Sequence, residues 1–265
     1  MLRFLSFILG NLPKPLEKIV FELFYPIYLI KFNKEKKYIA MRLKKANLPI
    51  RPKDVYKNLF FNGLASLRFL KGKEKIGFEN LPLAQNEINK GNPIIFASIH
   101  LGAFEILHRG LPVTSRINLV VSEFKNKKLD ELLTSLRGRQ NIKIVKDYEL
   151  SKVLKNIIRN KEILAIMTDQ SKHGGENFEI LGAQVPLFLK LPVMANRMGA
   201  SLVFFRAFRK NDSHIIRFEH VYPPQSEINK GEIAKMIESW ILEYPEQWAW
   251  NYSNQAFSTF IPYRI

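Results

Sequence analysis

Residues 98–105 read Ser-Ile-His-Leu-Gly-Ala-Phe-Glu, which sets His100 just after the apolar run 93–97 and Glu105 five positions further on. A neutral imidazole takes a proton near physiological pH. A carboxylate bonded to one of its nitrogens leaves the other as the acceptor. Such a pair can activate a hydroxyl with no covalent Ser or Cys nucleophile, and the chain holds no cysteine. On a continuous helix, positions five apart differ by about 140°, so the two side chains could not share a face. If His100 instead lies in a turn that Gly102 allows and a helix begins near Ala103, Glu105 is expected to reach back to it from the first helical turn. The plainer reading of the same residues is polar decoration of a helix start. A third reading pairs Glu105 with His108 as the Glu-x-x-His half of a two-metal centre. That centre needs a second copy, which His173, His214 and His220 do not supply, so no metal is expected.

The elements that must position these residues change character along the chain. Residues 53–70 carry apolar residues at helical spacing, with Asp54 as a candidate cap. From residue 92 onward, short apolar runs (93–98, 117–122, 142–145 and 162–169) alternate with segments of helical period (103–110, 126–139 and 148–160). A helix over 191–199, strands over 201–208 and 214–221, and a helix over 230–244 follow. Strand–helix alternation with unbroken apolar strands predicts an α/β fold: a central mixed, largely parallel sheet flanked by helices. Sites in such sheets gather at the carboxyl ends of strands, where His100 falls. Asp169 and Gln170 end the run 162–169 in the same way, although an Asp there is equally a cap or turn residue.

Length and charge bound the partners. The 265 residues suffice for one sizeable α/β domain. The division expected is an N-terminal membrane-associating helical segment over 1–75 and the α/β domain over 76–265. A net charge of +17 predicts an anionic partner: nucleic acid, an anionic membrane surface or an acidic protein. No nucleic-acid reading motif is present and the basic residues are spread through the chain, so no nucleic-acid partner is expected. In residues 1–32, two apolar stretches are each broken by Pro or Glu. Neither reaches the roughly 20 apolar residues of a membrane span, and no small-residue cleavage site follows the first. Aromatic, Leu and Ile residues with Lys14, Lys18, Lys31, Lys34, Lys36 and Lys37 among or after them fit interfacial helices on an anionic membrane.

Four blocks in order give these readings a family. His100-Leu-Gly-Ala-Phe-Glu105-Ile-Leu resembles the His-Phe-Gly-Asn-Trp-Glu block of the lipid A biosynthesis lauroyl/myristoyl acyltransferases, within the His-x4-Asp/Glu acyltransferase superfamily. Asn126, Leu129, Asp130 and Arg137 resemble that family's Asn-Pro-x-Leu-Asp…Arg block. Asp169-Gln170 and the Gly182-to-Phe188 stretch are similar to its Asp-Gln…Gly…Phe-Phe-Gly block. Glu238, with Pro245-Glu-Gln-Trp-Ala-Trp250, resembles its closing block. Lys127 stands where the family has proline, Ser122 lies where an arginine is common, and Asn251-Tyr-Ser253 replaces His-Arg-Arg.

The resemblance implies acyl transfer from a thioester to a lipid hydroxyl. His100 would be the base and Glu105 its orienting carboxylate. The donor would be acyl-carrier-protein-bound or coenzyme A-bound, with no other cofactor, and the place of action the cytoplasmic face of the inner membrane. Asp169, Gln170, Lys172 and Arg137 are the expected substrate contacts. Arg137 also reads as an ordinary helix-end charge, and Trp248 and Trp250 as packing residues. The glycerol-phosphate branch of the superfamily carries a Phe-Pro-Glu-Gly-x-Arg block where this chain has Met167-Thr-Asp-Gln-Ser-Lys172. Lys172 alone offers a phosphate a point charge rather than a bidentate grip, so a glycolipid acceptor is expected ahead of a lysophosphatidate.

Overall fold

The apolar runs 93–98, 117–122 and 162–169 lie inside a sheet whose two faces are both covered, and the run 142–145 forms one edge of it. The computed structural model describes residues 7–70, 76–107, 111, 115–123, 126–138, 141–169, 175–211 and 213–250. In chain order its elements are α1 (Lys14–Lys45), α2 (Pro52–Leu70), β1 (Ile76–Glu79), α3 (Leu81–Asn89), β2 (Ile94–Ser98), β3 (Ile117–Val121), α4 (Lys127–Arg137), β4 (Ile142–Lys146), α5 (Leu150–Arg159), β5 (Ile163–Met167), β6 (Glu176–Ile180), β7 (Ala183–Leu187), α6 (Lys190–Arg197), β8 (Ser201–Lys210), β9 (Ser213–Tyr222) and α7 (Lys230–Glu243). Seven of the described strands form one sheet in the order β1-β9-β8-β2-β5-β3-β4. Every pairing in it is parallel except β8 with β9. The mixed, largely parallel sheet predicted from the alternation is therefore present.

Alternate residues of β2 serve opposite layers. Ile95, Ala97 and Ile99 pack with Leu164, Ile166 and Phe204, whereas Ile94 and Phe96 pack with Ile163, Ala165 and Phe205. None of these side chains is more than 3% exposed. Burying each of the larger ones contributes roughly 1.5–3 kcal/mol before chain entropy is counted. β2 is thus a rigid rail, flanked in register by β5 on one side and β8 on the other.

The N-terminal region is helical at 7–9 and again, after Pro13, in α1, which runs unbroken through Glu22 and Pro26. Proline removes one backbone donor and crowds the preceding turn, yet packing on the inner face holds the helix together. Phe21, Ile39 and Leu43 are buried there, in the same core cluster as Ile95 and Phe204. Phe21 stacks on Tyr25 at 5.3 Å, and Tyr25 meets Tyr56 of α2 at 5.8 Å. Lys53 bonds Glu22 at 2.7 Å and Arg68 pairs with Glu17, which ties α2 to α1. Asp54 acts from inside the first turn of α2, where it accepts the Arg51 backbone N–H at 3.3 Å and the Arg51 guanidinium at 2.9 Å.

Three elements had no counterpart in the sequence reading: β1, α3 and the β6–β7 hairpin. The hairpin turns at Leu181 and Gly182, both at positive φ. Glu238 of α7 accepts the Leu181 N–H at 2.6 Å and so steadies a backbone conformation that leucine rarely adopts.

Candidate active site

Register between β2 and β5 builds the site. Ser98 and Met167 are partners at the carboxyl ends of the two strands, which run about 4.8 Å apart. The ladder continues one step beyond them, with the Thr168 N–H donating to the Ser98 carbonyl at 2.7 Å. Two residues past each strand end stand His100 and Asp169. The Asp169 carboxylate, only 1% exposed, lies 2.7 Å from His100 Nδ1 through Oδ1. Its Oδ2 accepts the His100 backbone N–H at 3.0 Å. A buried carboxylate needs such donors, since burial without them would be prohibitive. With Nδ1 engaged, Nε2 is the nitrogen placed to take a proton. The Phe104 ring meets the imidazole edge-on at 4.5 Å and fixes its other side.

Glu105 does not reach His100. The segment after Gly102 opens as a 3-10 turn over Phe104–Ile106 and is helical at Leu107, close to the helix start expected near Ala103; residues 108–110 lie outside the described residues, His108 among them. Glu105 accepts from Arg137 Nη2 at 2.5 Å and Nε at 3.4 Å. Arg137 is not a solvated helix-end charge, because its side chain is 8% exposed and Glu105 occupies its guanidinium. The pair ties the end of α4 to the His100 turn. Asp169, expected among the substrate contacts, is instead the partner of the imidazole. Gln170 and Lys172 lie outside the described residues.

Gly102 has a double reason to be glycine. Its φ is +59°, and a Cβ there would lie 2.4 Å from the Ala207 carbonyl oxygen on β8. Its N–H is also engaged, donating to the Gln247 carbonyl at 3.1 Å, and the Leu101 N–H bonds Ile99 O at 2.7 Å. The backbone donors of 100–102 are therefore structural.

The Pro245–Trp250 segment crosses this turn. Leu101 and Trp248 form an antiparallel bridge, and the Ala249 N–H donates to the His100 carbonyl at 3.0 Å. Gln247 clamps β8 by accepting the Arg209 N–H at 2.7 Å and donating to the Arg209 carbonyl at 2.8 Å. Trp248 and Trp250 are buried and meet at 4.6 Å, as packing residues would. Trp248 also does what packing does not require, donating its indole N–H to Asp169 Oδ2 at 2.9 Å. Among the described residues, no group of three or more His, Asp or Glu is placed to hold a metal ion.

A histidine backed by a buried carboxylate, at the carboxyl ends of two inner strands and with no thiol in the chain, is machinery for activating a hydroxyl in group transfer. The model of the bacterial lipid A biosynthesis acyltransferase family matches residues 35–253. The chain belongs to that family and is an acyltransferase. A comparison with functionally curated proteins finds no match. Among solved structures, a similar chain is the 1-acyl-sn-glycerophosphate acyltransferase of Thermotoga maritima. It is 11% identical, with 92% of this chain and 97% of that one covered and a TM-score of 0.42.

Proposed function

We propose that the protein moves a fatty acyl group from an acyl-carrier-protein or coenzyme A thioester to a hydroxyl of a glycolipid, as in the late acylation of lipid A, at the cytoplasmic face of the inner membrane. The observation that carries the chemistry is the 2.7 Å contact between His100 Nδ1 and Asp169. His100 Nε2 takes the proton of the acceptor hydroxyl as its oxygen attacks the thioester carbonyl. Asp169 stabilises the imidazolium that forms, and low solvent exposure strengthens that interaction. The tetrahedral intermediate expels the thiolate, which takes the proton back from His100, leaving an ester and a free thiol. No acyl-enzyme is needed. Glu105 and Arg137 act together, holding the turn that carries His100.

The surface of α1 supports the membrane part of the reading. Leu16, Ile19, Leu23, Phe24, Ile27 and Ile30 are 44–86% exposed. Their spacing makes a stripe roughly 21 Å long on the side opposite Phe21 and Tyr25. An apolar stripe of this length on a monomeric surface marks a contact, and the exposed Lys18, Lys34 and Lys37 add attraction to anionic headgroups. No helix among the described residues is long and apolar enough to cross a membrane, so the stripe is read as lying in the interface. The +17 net charge suits both anionic lipid and an acidic carrier protein.

The test offers purified protein in detergent both thioester donors with either a lipid A-type glycolipid or lysophosphatidate. Acylation of the glycolipid, lost in His100→Ala, is the expected result. Acylation of lysophosphatidate with none of the glycolipid would move the acceptor to the glycerophospholipid class.

A further inference from the structure

The Pro245–Trp250 segment holds both halves of the His100–Asp169 pair. One residue, Ala249, bonds the His100 carbonyl, while its neighbour Trp248 bonds the carboxylate that the His100 ring contacts. We propose that Trp248 is a positioning residue for acyl transfer: its indole N–H fixes the plane of the Asp169 carboxylate and thereby the orientation of the His100 imidazole. This rests on the reading of His100 as the general base.

The argument is one of torsional freedom. Rotation about the last bond of an aspartate is broad and roughly two-fold, so a carboxylate is set by its partners rather than by its rotamer. Asp169 Oδ2 accepts two N–H groups, from the His100 backbone at 3.0 Å and from Trp248 at 2.9 Å. The backbone donor alone leaves the plane free to tilt about that single contact; the indole supplies a second point from another segment. The indole is itself immobilised, since Trp248 is 1% exposed, bridges Leu101 and meets Trp250 edge-on. Both Asp169 and Trp248 are out of water, so solvent cannot replace a lost N–H.

The matched control lies two residues away. Trp250 donates its own indole N–H to the Pro245 carbonyl at 2.6 Å and does not touch Asp169. Trp248→Phe, and separately the isosteric benzothienylalanine at 248, remove the N–H but keep the aromatic body. With acyl-coenzyme A or acyl-carrier-protein donor and glycolipid acceptor, each is expected to lower kcat by roughly tenfold to a hundredfold, in line with small misplacements of a reacting group. KM should stay within about twofold, because the group does not touch substrate. In an Asp169→Ala background the same replacements should change the residual rate by less than about twofold, since the carboxylate they act through is gone. Trp250→Phe, which keeps the ring against Trp248 and removes no bond to Asp169, should lower kcat less than either Trp248 replacement.

Parent-like kcat in both folded Trp248 variants, or an equal loss with and without Asp169, would overturn the inference. An active His100→Ala would overturn the general-base reading beneath it. An inactive His100→Ala beside a fully active Trp248→Phe would remove the role of Trp248 alone.

Discussion

Replacing Asp169 with Asn separates charge from shape, and the hydrogen bonds around it dictate how the amide must sit. The Oδ2 position faces two N–H donors, from the His100 backbone and the Trp248 indole. An NH2 group there would meet both head-on, so the Asn oxygen must take that place. The NH2 then faces His100 Nδ1, 2.7 Å away in the parent, and can only donate to it. Donation to Nδ1 forces the ring proton onto Nε2, the nitrogen that should accept from the substrate. The imidazolium also loses its counter-charge. A charge-assisted bond is worth about 1.5–3 kcal/mol, and the wrong tautomer removes general-base help worth on the order of 10² to 10⁴ in rate. Asp169→Asn is therefore expected to reduce kcat by about 10³ or more while the fold persists, the two side chains being nearly the same shape. The assay is direct: the chain has no cysteine, so the thiol released from the donor can be titrated with no background from the protein. A folded Asp169→Asn enzyme working within about tenfold of the parent would refute the assignment of Asp169 as the partner of the base.

Three further outcomes follow from contacts elsewhere. Glu105→Gln and Arg137→Gln should be strongly non-additive in urea unfolding, with a coupling of about 1–3 kcal/mol, because the two form one partly buried ion pair; simple additivity would mean that the pair is not made. Gly102→Ala should lower stability by more than about 2 kcal/mol, through left-handed backbone and the clash with Ala207 O, and an unchanged denaturation midpoint would contradict that backbone path. Leu23→Asp with Ile27→Asp, at positions 64% and 62% exposed, should abolish flotation with anionic vesicles while leaving the thermal unfolding temperature near the parent's; co-flotation unchanged from the parent would place the membrane contact elsewhere.

The sheet was legible because its strands are short, apolar and bounded by polar or turn residues. Ile94–Ser98 and Ile163–Met167 lie within one residue of their expected starts. β1 was not legible, since Ile76–Glu79 is four residues long with half-buried edges and borrows its pairing from β9, more than 130 positions away. The packing of α1 on the core was less legible, because the helix is apolar on two opposite faces, one packed and one open, which blurs its period. The position of His100 just past a strand was legible from the apolar run before it. Its partner was misassigned because sequence proximity favoured Glu105, whereas parallel pairing of β2 with β5 brings position 169 alongside position 100. Local spacing carries no information about that pairing. Trp248 was invisible as a polar contributor, since tryptophan in a buried segment reads as volume first and as a donor second.

The crossing of the His100 turn by residues 245–250 has a consequence for how the protein is made. A ribosome delivers α1, with its exposed stripe, some two hundred residues before Trp248 emerges. All seven strands of the large sheet have been synthesised by residue 222. A nascent chain at that stage holds every strand of the sheet, and both His100 and Asp169, but lacks the bonds from Gln247, Trp248 and Ala249 that hold the turn and the carboxylate together. The His100 turn and the Asp169 carboxylate thus gain their last supports only when residues 247–249 have been made, after the whole sheet.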